Sequence, residues 1–307
     1  MKKFTLLATT FLFLLINFNL LAQSADEHFL NAFTKYMSGD KESAIKEYSK
    51  AIELKNDYTD AYFNRAILFD NIGNYKAAIN DYTSVISINP NSAEAYLNRG
   101  MDYKILNKNK KSIADLNKAL EINDSLAIGY MKRGLFLFQL GDYEKALKDF
   151  QSVIKYSPSY TQVYLEIGKT YDKLEEYEAA TFAYSAFIAN YPANANAYYL
   201  RAYDFELINK KQQAINDYSN AVRYDTSFAD AFFNRALLYD FAGDYEKAIA
   251  DYTKVIELQP DAIDAWFNRG IAQLNSGRKS IACSDINKAA NLGDRKAKKL
   301  AKTMKCK

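Results

Sequence analysis

Ala61-Tyr62-Phe63-Asn64-Arg65-Ala66 returns almost unchanged as Ala231-Phe232-Phe233-Asn234-Arg235-Ala236. The two hexapeptides lie 170 residues apart, which is five times 34. A register begun at Ala25 and stepped by 34 gives repeats 25–58, 59–92, 93–126, 127–160, 161–194, 195–228, 229–262 and 263–296, without insertion or deletion. A fixed period of this size marks an array of supersecondary units, none of which can bury its apolar face alone.

The phase assigns a job to each place. The eighth holds Ala32, Ala66, Gly100, Gly134, Gly168, Ala202, Ala236 and Gly270, and the twentieth is Ala except for Ser112. Two helices approach closely only where both lack bulk, so these places mark the crossing of a helix pair. The fourth place is aromatic from Tyr62 to Trp266, and the twenty-fourth is Tyr or Phe in six repeats. Pro90, Pro158, Pro192 and Pro260 all fall at the thirty-second place, where a second helix must stop. Gly73, Gly141 and Gly243 suit a left-handed helix end, and Asn74, Asp142 and Asp244 follow as helix N-caps.

This helix–turn–helix with small, aromatic and proline places so spaced resembles the tetratricopeptide repeat. The resemblance covers eight repeats and implies an all-α, right-handed superhelical solenoid with an inner groove. A basic cap helix is expected over 294–307, with Ala297, Leu300, Ala301 and Met304 inward. The family's groove is lined by places two, five, six, nine, twelve and thirteen. Here the fifth place is apolar throughout and includes Phe63, Leu97, Met131, Tyr199, Phe233 and Phe267. The sixth supplies Asn64, Asn98, Asn234 and Asn268, able to bond an extended peptide. Part of this stripe has to serve as core between helices, so packing and ligand contact both remain open for it. Leu97 and Met131 stand where relatives that grip acidic chaperone tails carry lysine, so that activity is not carried over.

The seventh place departs from the family's leucine-like residue. Arg65, Arg99, Arg133, Arg201, Arg235 and Arg269 occupy it, and Asp81, Asp115, Asp149, Asp217, Asp251 and Asp285 occupy the twenty-third place of the same repeats. Repeat five loses both charges together, as Ile167 and Ala183. That joint loss points to pairs within each hairpin, Arg65–Asp81 through Arg269–Asp285, since a charge on a buried face requires a partner. A row of arginines receiving ligand carboxylates is the competing reading.

Composition bounds the function. Lys and Arg number 40 against 37 Asp and Glu, too even a balance to suggest nucleic-acid binding. One His and two Cys leave no metal cluster or nucleophile–histidine pair, no cofactor motif is present, and an enzyme is not expected. His28 occupies an aromatic packing place and reads as structural. Residues 1–22 read as a secretory signal peptide: Lys2 and Lys3, an apolar run to Leu21, and a small residue, Ala22, at the cut. The rival reading, an uncleaved anchor, is opposed by Asn17 and Asn19 and by the lack of a positive flank. The expected protein is exported, to the periplasm or beyond, without stable membrane insertion, and Cys283 should pair with Cys306 in an oxidising compartment. It should hold a protein or peptide segment in its groove, neutral to basic because Asp60, Glu94, Asp230 and Asp264 line the wall. The alternative is an assembly element of a cell-envelope complex that works through its convex face or ends. Intact mass of the exported protein should place its first residue at Gln23; a mass that retains residues 1–22 supports the anchor instead.

Overall fold

The computed structural model describes residues 24–306, so the signal peptide expected at residues 1–22 lies outside the described residues. Among these, every regular element is a helix, and the chain divides into two compact units, Met1–Arg133 and Gly134–Lys307. The first unit contains α1 (Ala25–Met37), α2 (Lys41–Leu54), α3 (Thr59–Asn71), α4 (Tyr75–Ile88), α5 (Ala93–Ile105) and α6 (Asn109–Ile122). The boundary falls inside α7 (Ala127–Gln139). The second unit contains α8 (Tyr143–Tyr156), α9 (Val163–Lys173), α10 (Tyr177–Asn190), α11 (Ala195–Leu207), α12 (Lys211–Tyr224), α13 (Ala229–Phe241), α14 (Tyr245–Leu258), α15 (Ile263–Asn275), α16 (Lys279–Asn291) and α17 (Arg295–Met304). Within each unit a first helix packs on its own second helix, and that helix packs on the next first helix.

The turn inside every hairpin places its fifteenth residue in the left-handed region. Gly73 (φ 75°), Gly141 (82°) and Gly243 (79°) fill it at no steric cost, and Asn107 and Asn209 at little. Glu175 (φ 60°) fills it in repeat five, where the conformation is less welcome. Capping is more selective than the sequence suggests. Asn74 accepts from the Ala77 N–H at 3.3 Å, but Asp142 and Asp244 make no cap bond and accept instead from Lys145 and Lys247. A lysine three residues on draws each carboxylate away from the helix end.

The small places sit where the helices cross. A Cβ added at Gly168 would lie 2.4 Å from the Tyr184 ring, and one at Gly134 would lie 2.8 Å from Phe150. The ring of the second helix thus lies directly against the first helix's backbone. Tyr48 and Tyr82 in the first unit, and Phe150, Tyr184, Tyr218 and Tyr252 in the second, are fully buried this way.

Arginine stitches the hairpins together. Arg65, Arg99, Arg201, Arg235 and Arg269 each clasp their own hairpin's Asp through Nε and Nη2 at 2.7–2.9 Å. Each also donates Nη1 backwards, to Ser49, Thr83, Ser185, Ser219 or Thr253 of the preceding second helix, at 2.8–3.0 Å. One guanidinium therefore ties three helices. It lies beside the fourth-place ring, as Arg269 does 4.8 Å from Trp266. Arg133 closes the first unit and donates to Asn117 at 2.8 Å, while Asp149 lies buried in the second unit. In repeat one the tie is His28 to Glu47 at 2.6 Å, which gives the single histidine a structural partner.

At the C-terminus α17 lays Ala297, Leu300, Ala301 and Met304 against Ala282, Ile286 and Ala289 of α16. Lys305 adopts a left-handed conformation and turns Cys306 back to a disulfide with Cys283, Cα atoms 5.3 Å apart.

Replacing Arg235 by Leu strands the buried carboxylate of Asp251 and should lower stability by about 3–5 kcal/mol. Adding Asp251→Ala recreates the apolar arrangement of repeat five and should recover much of the loss. Urea melts of the two variants decide it, because additive losses would show that the pair is not coupled.

Candidate functional site

The fifth-place side chains turn toward the hairpin interior. Phe63 meets the Tyr82 ring edge-on at 5.7 Å, and Leu97 is buried, in the first unit. In the second unit Phe233 meets Tyr252 and Tyr199 meets Tyr218, each at 5.7 Å, and Phe267 packs with Ile286. Met131 is half-buried. The fifth place therefore serves chiefly as a lid over the twenty-fourth-place side chain, and Phe63, Met131, Tyr199, Phe233 and Phe267 keep part of their surface exposed.

The sixth-place asparagines already have work. Asn234 donates to the Tyr199 and Tyr218 hydroxyls at 3.2 and 3.4 Å. Asn64 and Asn98 lie against the Tyr48 and Tyr82 hydroxyls in the same manner, and Asn268 is half-buried. Asn64, Asn98 and Asn234 thus bridge one repeat's first helix to the preceding repeat's tyrosine, so their first role is in stacking.

The apolar surface that remains open lies one turn further along, at places nine and thirteen. In the second unit these are Tyr203 and Leu207 on α11, and Leu237 and Phe241 on α13. Phe241 is 75% exposed, with the Lys211 ammonium 3.3 Å from its ring centre. Spacing of four residues puts both members on one helical face. In the first unit Phe33 and Met37 occupy the same places and are exposed, beside a cavity of about 80 Å³ lined by Phe33, Tyr36, Tyr48, Asn64, Ile67 and Leu68. Asp60, Glu94, Asp230 and Asp264 are exposed at the second places. Reading the fifth place alone misses the thirteenth, though its Met37, Ile105, Leu207 and Phe241 were visible in the register.

A second feature is buried acid. The Tyr82 hydroxyl donates to Asp70 at 2.7 Å, and Asp102 of the next repeat lies against Asp70. The second unit repeats the arrangement with Tyr184, Asp172 and Asp204, and Tyr218 donates to Glu206. Asp102 and Asp204 are 3% and 1% exposed. Burial, and then the facing carboxylate, push each of them up to about 8, so each pair holds one proton in common at neutral pH. The signal was in the register: acid stands at the twelfth place in four of the five repeats with Tyr at the twenty-fourth, and in none with Leu, Phe or Ile there. Among the described residues no group of three or more His, Cys, Asp or Glu is arranged to hold a metal, and no helix is long and apolar enough to cross a membrane.

A tetratricopeptide repeat family model matches residues 59–92 and 229–262, and a second matches 93–125 and 161–194. A TPR repeat model matches 35–73 and 134–175, so that together the three account for more than half of the chain. No curated protein matches at a significant level. Among solved structures, the chain is similar to the MamA protein at 30% identity, TM-score 0.52, over 56% of this chain and 94% of that one. It shares a fold with YrrB, described as a TPR protein with an unusual peptide-binding site, at 21% identity and TM-score 0.55, over 61% and 97% of the two chains. It also shares a fold with the C-terminal part of a TPR repeat-containing protein from Cytophaga hutchinsonii, at 18% identity and TM-score 0.69, over 77% and 97%.

The raised carboxyls set a pH dependence. A carboxyl whose folded pKa lies above its unfolded value contributes stability that is complete below the ordinary carboxyl range near 4, and loses it as pH rises through about 8. Melting temperature should therefore fall between pH 6 and pH 8 and level off above, where the carboxyls are ionised in both states. Asp102→Asn with Asp204→Asn should flatten that fall, each amide keeping the shared hydrogen bond without a charge to bury. A wild-type profile already flat over this interval would show that the pairs are not buried together.

Proposed function

We propose a non-enzymatic, exported scaffold that holds a polypeptide segment on its inner face, and the premise is that the chain belongs to the tetratricopeptide repeat family. Repeats of this family build protein-interaction surfaces, and YrrB, of the same fold, carries a peptide-binding site. The observation that supports the reading here is the open ladder of Tyr203, Leu207, Leu237 and Phe241 on successive first helices of the second unit. Side chains so exposed, in so regular a row, add nothing to the core and present apolar contact to a partner. The exposed Asp230 and Asp264 on the same wall favour a neutral to basic segment and make binding weaken with salt. Asn234, held by two tyrosine hydroxyls, keeps its amide oxygen for a backbone N–H of the segment. The leader expected at residues 1–22 places this activity outside the cytoplasm. The partner is thus an exported or envelope polypeptide that offers apolar side chains at regular spacing.

Tyr203→Ser with Phe241→Ser should leave the melting temperature nearly unchanged, because both side chains are half or more exposed. Affinity capture of the main partner from the native envelope, followed by mass spectrometry, should fall at least tenfold. Capture at wild-type strength would move the working surface elsewhere.

A further inference from the structure

We propose that the chain pairs with a second copy of itself through the outer face of repeat five, each copy seating its Phe182 ring in a pocket of the other. The pocket is the slot that a guanidinium fills in other repeats. In repeats two, three, six and seven the arginine lies 5.4–5.9 Å from rings at the fourth and eleventh places. Repeat five keeps both rings, Tyr164 and Tyr171, but has Ile167 for the arginine and Ala183 for the aspartate. Neither replacement fills the volume, and a cavity of about 440 Å³ remains among α8, α9 and α10. Gln151, Ile154 and Ala186 complete its walls, and no ionised side chain lines it.

Phe182 stands at the rim, 77% exposed. Lysine, asparagine, alanine or serine takes its place in the other repeats. Its helix, α10, carries a single charged side chain, Glu178, whereas every other second helix carries two or more. An exposed ring beside an uncharged hollow is a knob and a hole on one patch, and a two-fold axis closes such a patch on itself. The slot would hold an arginine or lysine poorly, because the aspartate that neutralises the charge elsewhere is missing. The flanking charges suit a copy related by two-fold symmetry. Exposed Lys148 on α8 and exposed Glu178 on α10 are opposite in sign, so crossing the helices sets the lysine of each copy near the glutamate of the other. Two aromatic rings with their linings bury less than the roughly 800 Å² per partner of a standard interface, so the pair should dissociate on the order of micromolar. This surface shares no residue with the inner-face ladder and is independent of the inner-face reading.

Sedimentation velocity of the full chain over a hundredfold concentration range tests the proposal. The wild type should shift from one to two copies, and Phe182→Asp should stay single. Ile167→Arg with Ala183→Asp restores the pair found in the other repeats and fills the slot; it should be single while melting at or above the wild-type temperature. That variant keeps the test valid if Phe182→Asp fails to fold, and Tyr203→Ser should still double. A wild type that is single throughout, doubling that persists in the filled-slot variant, or growth beyond two copies would each overturn the proposal.

Discussion

The clasp between arginine and aspartate governs much of this molecule. A guanidinium at the seventh place of a first helix sits where most of its surroundings are apolar, and an unpaired charge there would not be tolerated. The bidentate carboxylate satisfies two of its donors and neutralises it, the hydroxyl or amide of the preceding repeat takes a third, and flanking rings cover its faces. Because the same group bonds forward within its hairpin and backward to its neighbour, it fixes hairpin geometry and repeat stacking together. Hydrophobic burial supplies most of the stabilisation, but a greasy contact tolerates sliding and this fork does not.

Two consequences follow from that constraint. The polar atoms of the second helix are committed on the outer side, which leaves the tyrosine at the twenty-fourth place to meet the inner side. The hydroxyls of Tyr82, Tyr184 and Tyr218 reach the twelfth-place acid, Tyr218 also accepts from the next repeat's Asn234, and twice an aspartate from the following first helix joins in. These shared-proton pairs are a polar layer beneath the inner-face side chains, and their charge state depends on pH. The second consequence is that a repeat without the clasp is conspicuous. Repeat five has lost arginine and aspartate together, holds its turn with a left-handed Glu175, and exposes a helix whose single charge is Glu178, with a protruding ring.

Part of this was legible in one dimension. The period of 34, the small residues at crossing places, the prolines at helix ends and the joint loss of Ile167 and Ala183's charged counterparts are local or pairwise patterns, and a register displays them directly. Helix boundaries followed because glycine, asparagine and proline act through their own backbone. The cysteines were legible because only two exist. The twelfth-to-twenty-fourth-place pairing of acid with tyrosine was equally present in the register, but it needs the thought that a tyrosine is a donor as well as a ring.

Tertiary structure alone decided which side of each side chain faces water. The register left the fifth-place residues open between core and groove lining, and it is the rings of the second helix that draw Phe63 and Phe233 inward, while Leu97 is buried. Asn64, Asn98 and Asn234 read as peptide hooks, yet they bond to tyrosines one repeat away. The meeting of Asp70 with Asp102, and the slot left beside Phe182, depend on how far apart successive helices stand. Sequence periodicity names the helical face a residue lies on, because that is set by 3.6 residues per turn. How deep the residue sits on that face is set by the bulk of its neighbours across the interface, and only the packed chain supplies those.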